Sequence, residues 1–265
     1  TIQPWERAPA SVDVIFDPKN IRSVNAAFDP ARAGEAGLLL SDTGKPSIFG
    51  SAAATAGELP MDPASRMARA REMGFDTDRT LYHGTVGDFE SFDKSKFGSS
   101  TGAAGANKAA WLVDDPRTAA GYANHAAEKP IRDLLAKADT YERLAQKGGT
   151  NSSWWDKQDD ALRQAETLES EGVTGQSVMP LRVKGNFLEH DFGGAEYTDV
   201  ARDISRLLRE GQAGGYDGLQ LANLADDVAL NGRAATHYAI FDPRNIRSVN
   251  AAFDPAKKDS ANILA

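Results

Sequence analysis

The 265-residue chain contains no cysteine. That excludes disulfides, thiolate metal sites and cysteine nucleophiles together, and it suits a reducing cytosol. No apolar run approaches the roughly 18 residues that a membrane-spanning helix needs, so no membrane partner is expected. The opening Thr1-Ile2-Gln3-Pro4-Trp5-Glu6-Arg7 lacks the basic-then-apolar layout of a secretory signal and has no initiator Met, as expected for a segment of something longer. Positive charge is also short: 30 Lys and Arg face 38 Asp and Glu, a formal net charge of -8. A nucleic-acid binder needs a basic stripe to neutralise phosphates, and none is visible, so no nucleic-acid partner is expected. There is no Walker loop, HExxH helix, GxSxG elbow or GxGxxG turn between a strand and a helix. The four histidines, His83, His125, His190 and His237, lack the close spacing of a helical metal site, and no metal is expected.

What is present begins with a repeat. The sixteen-residue stretch from Ile15 to Pro30 recurs from Ile240 to Pro255, with Lys19 against Arg244 as the one change. Each copy reads as a short apolar strand, a Pro-stopped turn, a brief Asn-Ile-Arg-Ser segment and a second Phe-Asp-Pro turn. The residues leading into the copies differ, Ser11-Val12-Asp13-Val14 against Thr236-His237-Tyr238-Ala239. The first copy therefore reads as the tail of a preceding unit, with an N-terminal strand joining the sheet as the alternative. Residues 31–58, rich in Ala, Gly and Ser, read as a linker. The expected division is an N-terminal segment over 1–58 and one domain over 59–265.

Hydrophobic content of 41% leaves room for a core. Asp62 and Pro63 open a helix that should stop near Gly74. Strands are expected at 80–83, 109–113, 178–183, 216–221 and 237–241, and helices from Asp115 past Tyr122 and over 197–210. Residues 128–171 carry two helical patterns broken at Gly148-Gly149. Leu134, Leu135, Ala138, Tyr141 and Leu144 mark one apolar face, and Trp154, Trp155, Ala161, Leu162, Ala165 and Leu168 the other. The two tryptophans read as packing within that inserted hairpin. Strands and helices without a regular alternation point to α+β.

The pieces with chemistry in them are Leu81-Tyr82-His83-Gly84-Thr85, then Trp111 through Tyr122, then Gly215-Tyr216-Asp217-Gly218, and finally His237-Tyr238-Ala239-Ile240-Phe241-Asp242. Read as bare residues, His83 could be a turn residue, Trp111 and Tyr122 could be core, and Tyr216-Asp217-Gly218 reads as a turn into a strand. In this order they resemble the ADP-ribosyltransferase superfamily, in the branch that includes poly(ADP-ribose) polymerases and diphtheria toxin. More closely, they look like the ADP-ribosyltransferase domains of phage and mobile-element polyvalent proteins. The resemblance covers residues 80 to 255 and implies a split β-sheet core with flanking helices, the helical hairpin being an insertion.

The resemblance also implies a chemistry. NAD would be the substrate, and a protein side chain of a host the acceptor in mono-ADP-ribosyl transfer, a pentosyl (glycosyl) transfer that releases nicotinamide. The parent would be a phage protein acting as an effector in the host cytosol. His83 would bond the adenosine-side ribose, and Gly84, lacking a side chain, would let the backbone reach the nicotinamide carboxamide, with Thr85 beside it. Trp111 and Tyr122 would sandwich the ring. His237 stands where active polymerase-type members begin the last strand with Glu, the residue that stabilises an oxocarbenium-like transition state. A neutral imidazole supplies no negative charge there. Asp227 or its neighbour Asp226 would then supply it, or His237 suffices for slow transfer, or the domain holds NAD or ADP-ribose without turning it over. A structural spacer is the remaining alternative. The small-residue stretch from Gly98 to Gly105 reads as a lid or a plain loop, and Arg182 and Lys184 as a diphosphate contact or a solvated edge.

Overall fold

Helix α1 (Pro63–Glu72) starts where its cap is provided. The Asp62 carboxylate accepts from the Ser65 amide at 2.9 Å, and Pro63 fills a first-turn position whose amide would have no helical partner. The computed structural model describes residues 59–99, 101–103, 105–148, 153–226 and 233–265. Among them lie four further helices: α2 (Pro116–Ala127), α3 (Lys129–Gly148), α4 (Trp154–Glu171) and α5 (Tyr197–Ala213). The strands are β1 (Leu81–Val86), β2 (Ala110–Val113), β3 (Gln176–Val183), β4 (Phe187–Asp191), β5 (Gly218–Leu224), β6 (Ala235–Ile240) and β7 (Ile246–Ser248). None of these helices is long and apolar enough to cross a membrane.

The strands form one mixed sheet in the order β4-β5-β6-β2-β1-β3-β7, in which β4 and β5 alone run parallel. Its weak seam is central. β1 pairs with β3 from Leu81–Leu181 to Val86–Gln176, but it meets β2 only at Tyr82 and Val113. Past that pair, the edge of β1 that faces β2 carries no ladder, so the sheet opens into two halves there. The fold is α+β, as the sequence pattern implies, and its sheet opens as the resemblance implies.

Each half has its own core. On one side α5 lays Ile204, Leu207 and Leu208 against Leu219, Leu221, Leu224 and Ala239, with Trp111 packed beside them. On the other, Leu81, Leu112, Leu181, Tyr238, Ile240 and Ile246 form a second cluster with Phe92 and Ile263. A third cluster ties α1 to the C-terminal segment through Ala70, Phe75, Ala251 and Phe253. There Arg69 donates to the Ala252 carbonyl at 3.0 and 2.7 Å, and Arg66 to that of Val249 at 3.0 Å.

Ile240, Ile246, Arg247, Ala251 and Phe253 are fully buried, so the C-terminal copy of the repeat is core, not connector. Its brief Asn-Ile-Arg-Ser segment, given no element from the sequence, supplies strand β7. Strand β4 was equally unexpected, because its half-exposed Phe-Leu-Glu-His-Asp sequence sits at the sheet edge and shows little alternation. The first copy, residues 15–30, lies outside the described residues.

Helices α3 and α4 pair as a hairpin, but the seam differs from the expected one. Ile131, Ala138 and Ala145, seven apart, face Ala161 and Ala165, whereas Leu135, Leu144 and Leu162 stay exposed. Small residues let the two helices approach closely, which rotates the leucines out of the contact. Trp154 stacks on Tyr141, with centroids 5.7 Å apart, as expected for hairpin packing.

Candidate active site

The opening between β1 and β2 is the mouth of a cleft of about 520 Å3. His83, Gly84 and Thr85 line it from β1, Trp111 from β2, Tyr122 from α2, Tyr197 from α5 and His237 from β6, with Asp226 following β5. Gly98, Ser99, Thr101 and Ala103 line its rim, so the small-residue loop lies at the cleft. Of the site residues expected from the sequence, His83, Gly84, Thr85, Trp111, Tyr122 and His237 all line this cleft, as does Asp226; Asp227 lies outside the described residues.

The His83 imidazole fills the gap left by the missing ladder. Its Nδ1 is 2.9 Å from the Trp111 carbonyl oxygen, which can only accept, so Nδ1 carries the proton and Nε2 keeps a lone pair. Phe89 and Phe92 hold the ring edge-on at 5.9 and 5.0 Å. Burial lowers its pKa, and the Trp111 carbonyl only partly offsets that, so the ring is neutral at pH 7. The two phenylalanines, three apart just after the histidine motif, were the sequence signal for this support and were not read as such.

Gly84 also has a packing reason of its own. A Cβ at this position would lie 1.8 Å from the Ala119 carbonyl oxygen and 2.8 Å from the Ala123 nitrogen. The absent side chain therefore lets α2 lie directly on β1. That contact carries Tyr122 to the cleft.

Three polar groups meet there. The Tyr122 hydroxyl is 2.5 Å from Asp226 Oδ2 and 3.1 Å from His237 Nε2. Burial and then the Asp226 charge push the phenol well above its ordinary pKa, so it stays protonated. Its single proton goes to the short carboxylate contact, and His237 Nε2–H donates to its oxygen. His237 is 3% exposed, and its Nδ1 has no hydrogen-bond partner among the described residues. Burial depresses its pKa most strongly; Asp226 and the Ala235 carbonyl pull upward, the latter without reaching hydrogen-bond geometry at Nδ1. Tyr197, read from sequence only as a helix residue, is a further phenol in the cleft, its pKa raised by burial and Asp226.

The other candidates are structural or lie elsewhere. Asp217 accepts from the Asn186 amide at 2.8 Å and from the Asn245 side chain at 3.2 Å. Arg182 donates to the Arg79 carbonyl, and Lys184 lines a groove beside Phe75 and Tyr238; neither reaches the cleft. His125 is half-buried and outside it. No group of three metal-ligating side chains converges among the described residues.

Neutral buried histidines set a pH dependence of stability. Their folded pKa lies below the ordinary value of about 6.5, so the unfolded chain takes up protons first as pH falls. Stability should be level above pH 6.5 and fall between pH 6.5 and the depressed folded values of His83 and His237, with His125 adding in the same sense. Melting temperatures at pH 7.5, 6.5 and 5.5 measure this, and His237→Gln should flatten the slope. An unchanged slope in that variant would remove His237 from the account.

A model of the family described as ADP-ribosyltransferase in polyvalent proteins matches residues 77–253. No curated protein and no solved structure matches the chain. The matched region runs from just before β1 to the buried Phe253, taking in the split strand pair, the cleft and all seven strands. By its sequence, this chain belongs to the ADP-ribosyltransferases of polyvalent proteins.

Proposed function

We propose that the chain is an NAD-dependent mono-ADP-ribosyltransferase that modifies a protein side chain of a host cell with release of nicotinamide. The observation that carries this reading is the meeting of His83, Trp111, Tyr122, His237 and Asp226 where the ladder between β1 and β2 ends. The cleft volume falls within the roughly 300–1,000 Å3 of small-molecule sites. The residues also fit NAD chemically. The His83 Nε2 lone pair suits a ribose hydroxyl, the open edge of His83-Gly84-Thr85 suits a carboxamide, and Trp111 offers an aromatic wall.

In the reaction the bond between ribose C1′ and the nicotinamide nitrogen breaks, and its electron pair leaves with nicotinamide. An acceptor lone pair then forms the new bond to C1′ and the acceptor loses a proton. The cation that develops on the ribose needs an opposing negative charge. His237, neutral, cannot supply it; Asp226, one hydroxyl away, can. Tyr122 holds both in place. The competing reading, a module that binds NAD or ADP-ribose without turnover, draws on His237 standing where a glutamate is expected.

The test is incubation with labelled NAD and a bacterial lysate, beside His83→Ala. The expected result is label on a discrete protein band, and nicotinamide release that falls roughly 5- to 150-fold in the variant, as for about 1–3 kcal/mol lost with one partnered polar group. NAD binding by calorimetry with neither transfer nor nicotinamide release would establish the binding module instead.

A further inference from the structure

A second cavity, of about 500 Å3, opens on the opposite side of β6. Consecutive residues of that strand serve the two sites: His237 lines the cleft and Tyr238 lines this groove. Arg71, Arg79 and Lys184 line it with Phe75 and Tyr238, against two carboxylates, Asp76 and Asp78. We propose that this groove is a binding site for a phosphate-bearing anion, separate from the NAD cleft and independent of the function assigned to it.

Its charges are unevenly matched. Arg79 pairs with Asp76 at 3.7 Å and donates to the Tyr238 hydroxyl and to Gln220, so its guanidinium is fixed across the groove. Asp76 is also spent on its own turn, accepting from the Asp78 and Arg79 amides at 2.9 and 3.1 Å. Arg71 and Lys184 make no ion pair within 4.0 Å among the described residues.

A buried cation lies close by. Arg247 is fully buried with no carboxylate partner among the described residues, and its guanidinium is held by the carbonyls of Arg244, Ile246, Lys257, Lys258 and Ser260. Its Cζ lies 5.7 Å from the Phe75 ring centre, and Lys184 Nζ lies 5.0 Å from the same centre. Lys184 is depressed in pKa first by burial and then by Arg247, with Lys258 and Arg244 acting in the same direction and Asp259 opposing. A half-buried ammonium in a positive field, beside a fixed guanidinium fork, is arranged to be neutralised by a multivalent anion. Phosphate oxygens suit both donor types, the guanidinium through the Nη2 donors that Asp76, Tyr238 and Gln220 leave, and the ammonium as a point charge.

The test uses the isotope-labelled chain, inorganic phosphate as the probe, and two-dimensional NMR with and without saturating NAD. Saturable shifts confined to the amides around Phe75, Arg79 and Lys184, unaffected by NAD, are the expected result. Lys184→Gln should weaken phosphate about tenfold, as for one charged hydrogen bond, and Arg71→Gln should weaken it in the same direction. Ribose 5-phosphate and a phosphoserine peptide distinguish a free metabolite from a modified protein as the source, the tighter of the two identifying it. Absence of saturable binding, binding indifferent to Lys184→Gln, or displacement by NAD with shifts at His83 would each overturn the proposal.

Discussion

Gly84→Ala should cost the fold about 3 kcal/mol or more, the upper end for overpacking a tight contact. The added methyl would lie 1.8 Å from the Ala119 carbonyl oxygen and 2.8 Å from the Ala119 carbon and the Ala123 nitrogen. All three are helix backbone, so no side-chain rotation relieves the clash. Either α2 retreats by more than an ångström or β1 does. β1 is held by its six-residue ladder to β3, so α2 is the element that gives way. Its retreat would carry Tyr122 from Asp226 and His237, and loss of NAD binding should accompany loss of stability. Urea denaturation measures the first and calorimetry the second. A variant with the wild-type midpoint would show that the helix and strand do not meet as closely as described. A variant that folds normally but loses NAD would return the glycine to a role against the ligand.

That glycine shows where sequence reading stops. Its position beside His83 was legible from the motif. Its physical reason was not, because the close approach of α2 is a tertiary contact between segments separated by the whole 87–115 stretch. Helix starts were legible where a local rule suffices: Asp62 and Asp115 each precede a proline and each cap the helix that follows. The convergence of His83, Trp111, Tyr122 and His237 was readable only through family resemblance, since spacing along the chain does not say which strands become neighbours. Edge strands β4 and β7 escaped because neither shows the clean alternation of a strand with one buried face. The hairpin seam escaped because alanines, not leucines, make it. Nothing in the composition marks Asp226 out, and only the path of the chain after β5 brings it to Tyr122.

Asp226→Asn should lower the rate of nicotinamide release by roughly 10²–10³-fold while leaving the KM for NAD within a few-fold of wild type. The reasoning starts from the proton on Tyr122. Its phenol is held well above its ordinary pKa, so across neutral pH it keeps its proton and donates it to Asp226 Oδ2. Asparagine keeps the shape, and its carbonyl oxygen can still accept from Tyr122, so the cleft and the His237 contact should survive. What disappears is the negative charge. Charge matters little to a bound ground state whose nicotinamide ribose is not yet cationic, and much to a state in which positive charge has moved onto that ribose; the loss therefore belongs in kcat. Tyr122→Phe separates charge from placement, because it leaves the carboxylate and removes the bond that orients it. Its loss should be smaller than that of Asp226→Asn. If Asp226→Asn raises KM instead and spares kcat, the carboxylate is a binding group, and the charge opposite the ribose has to come from another acid.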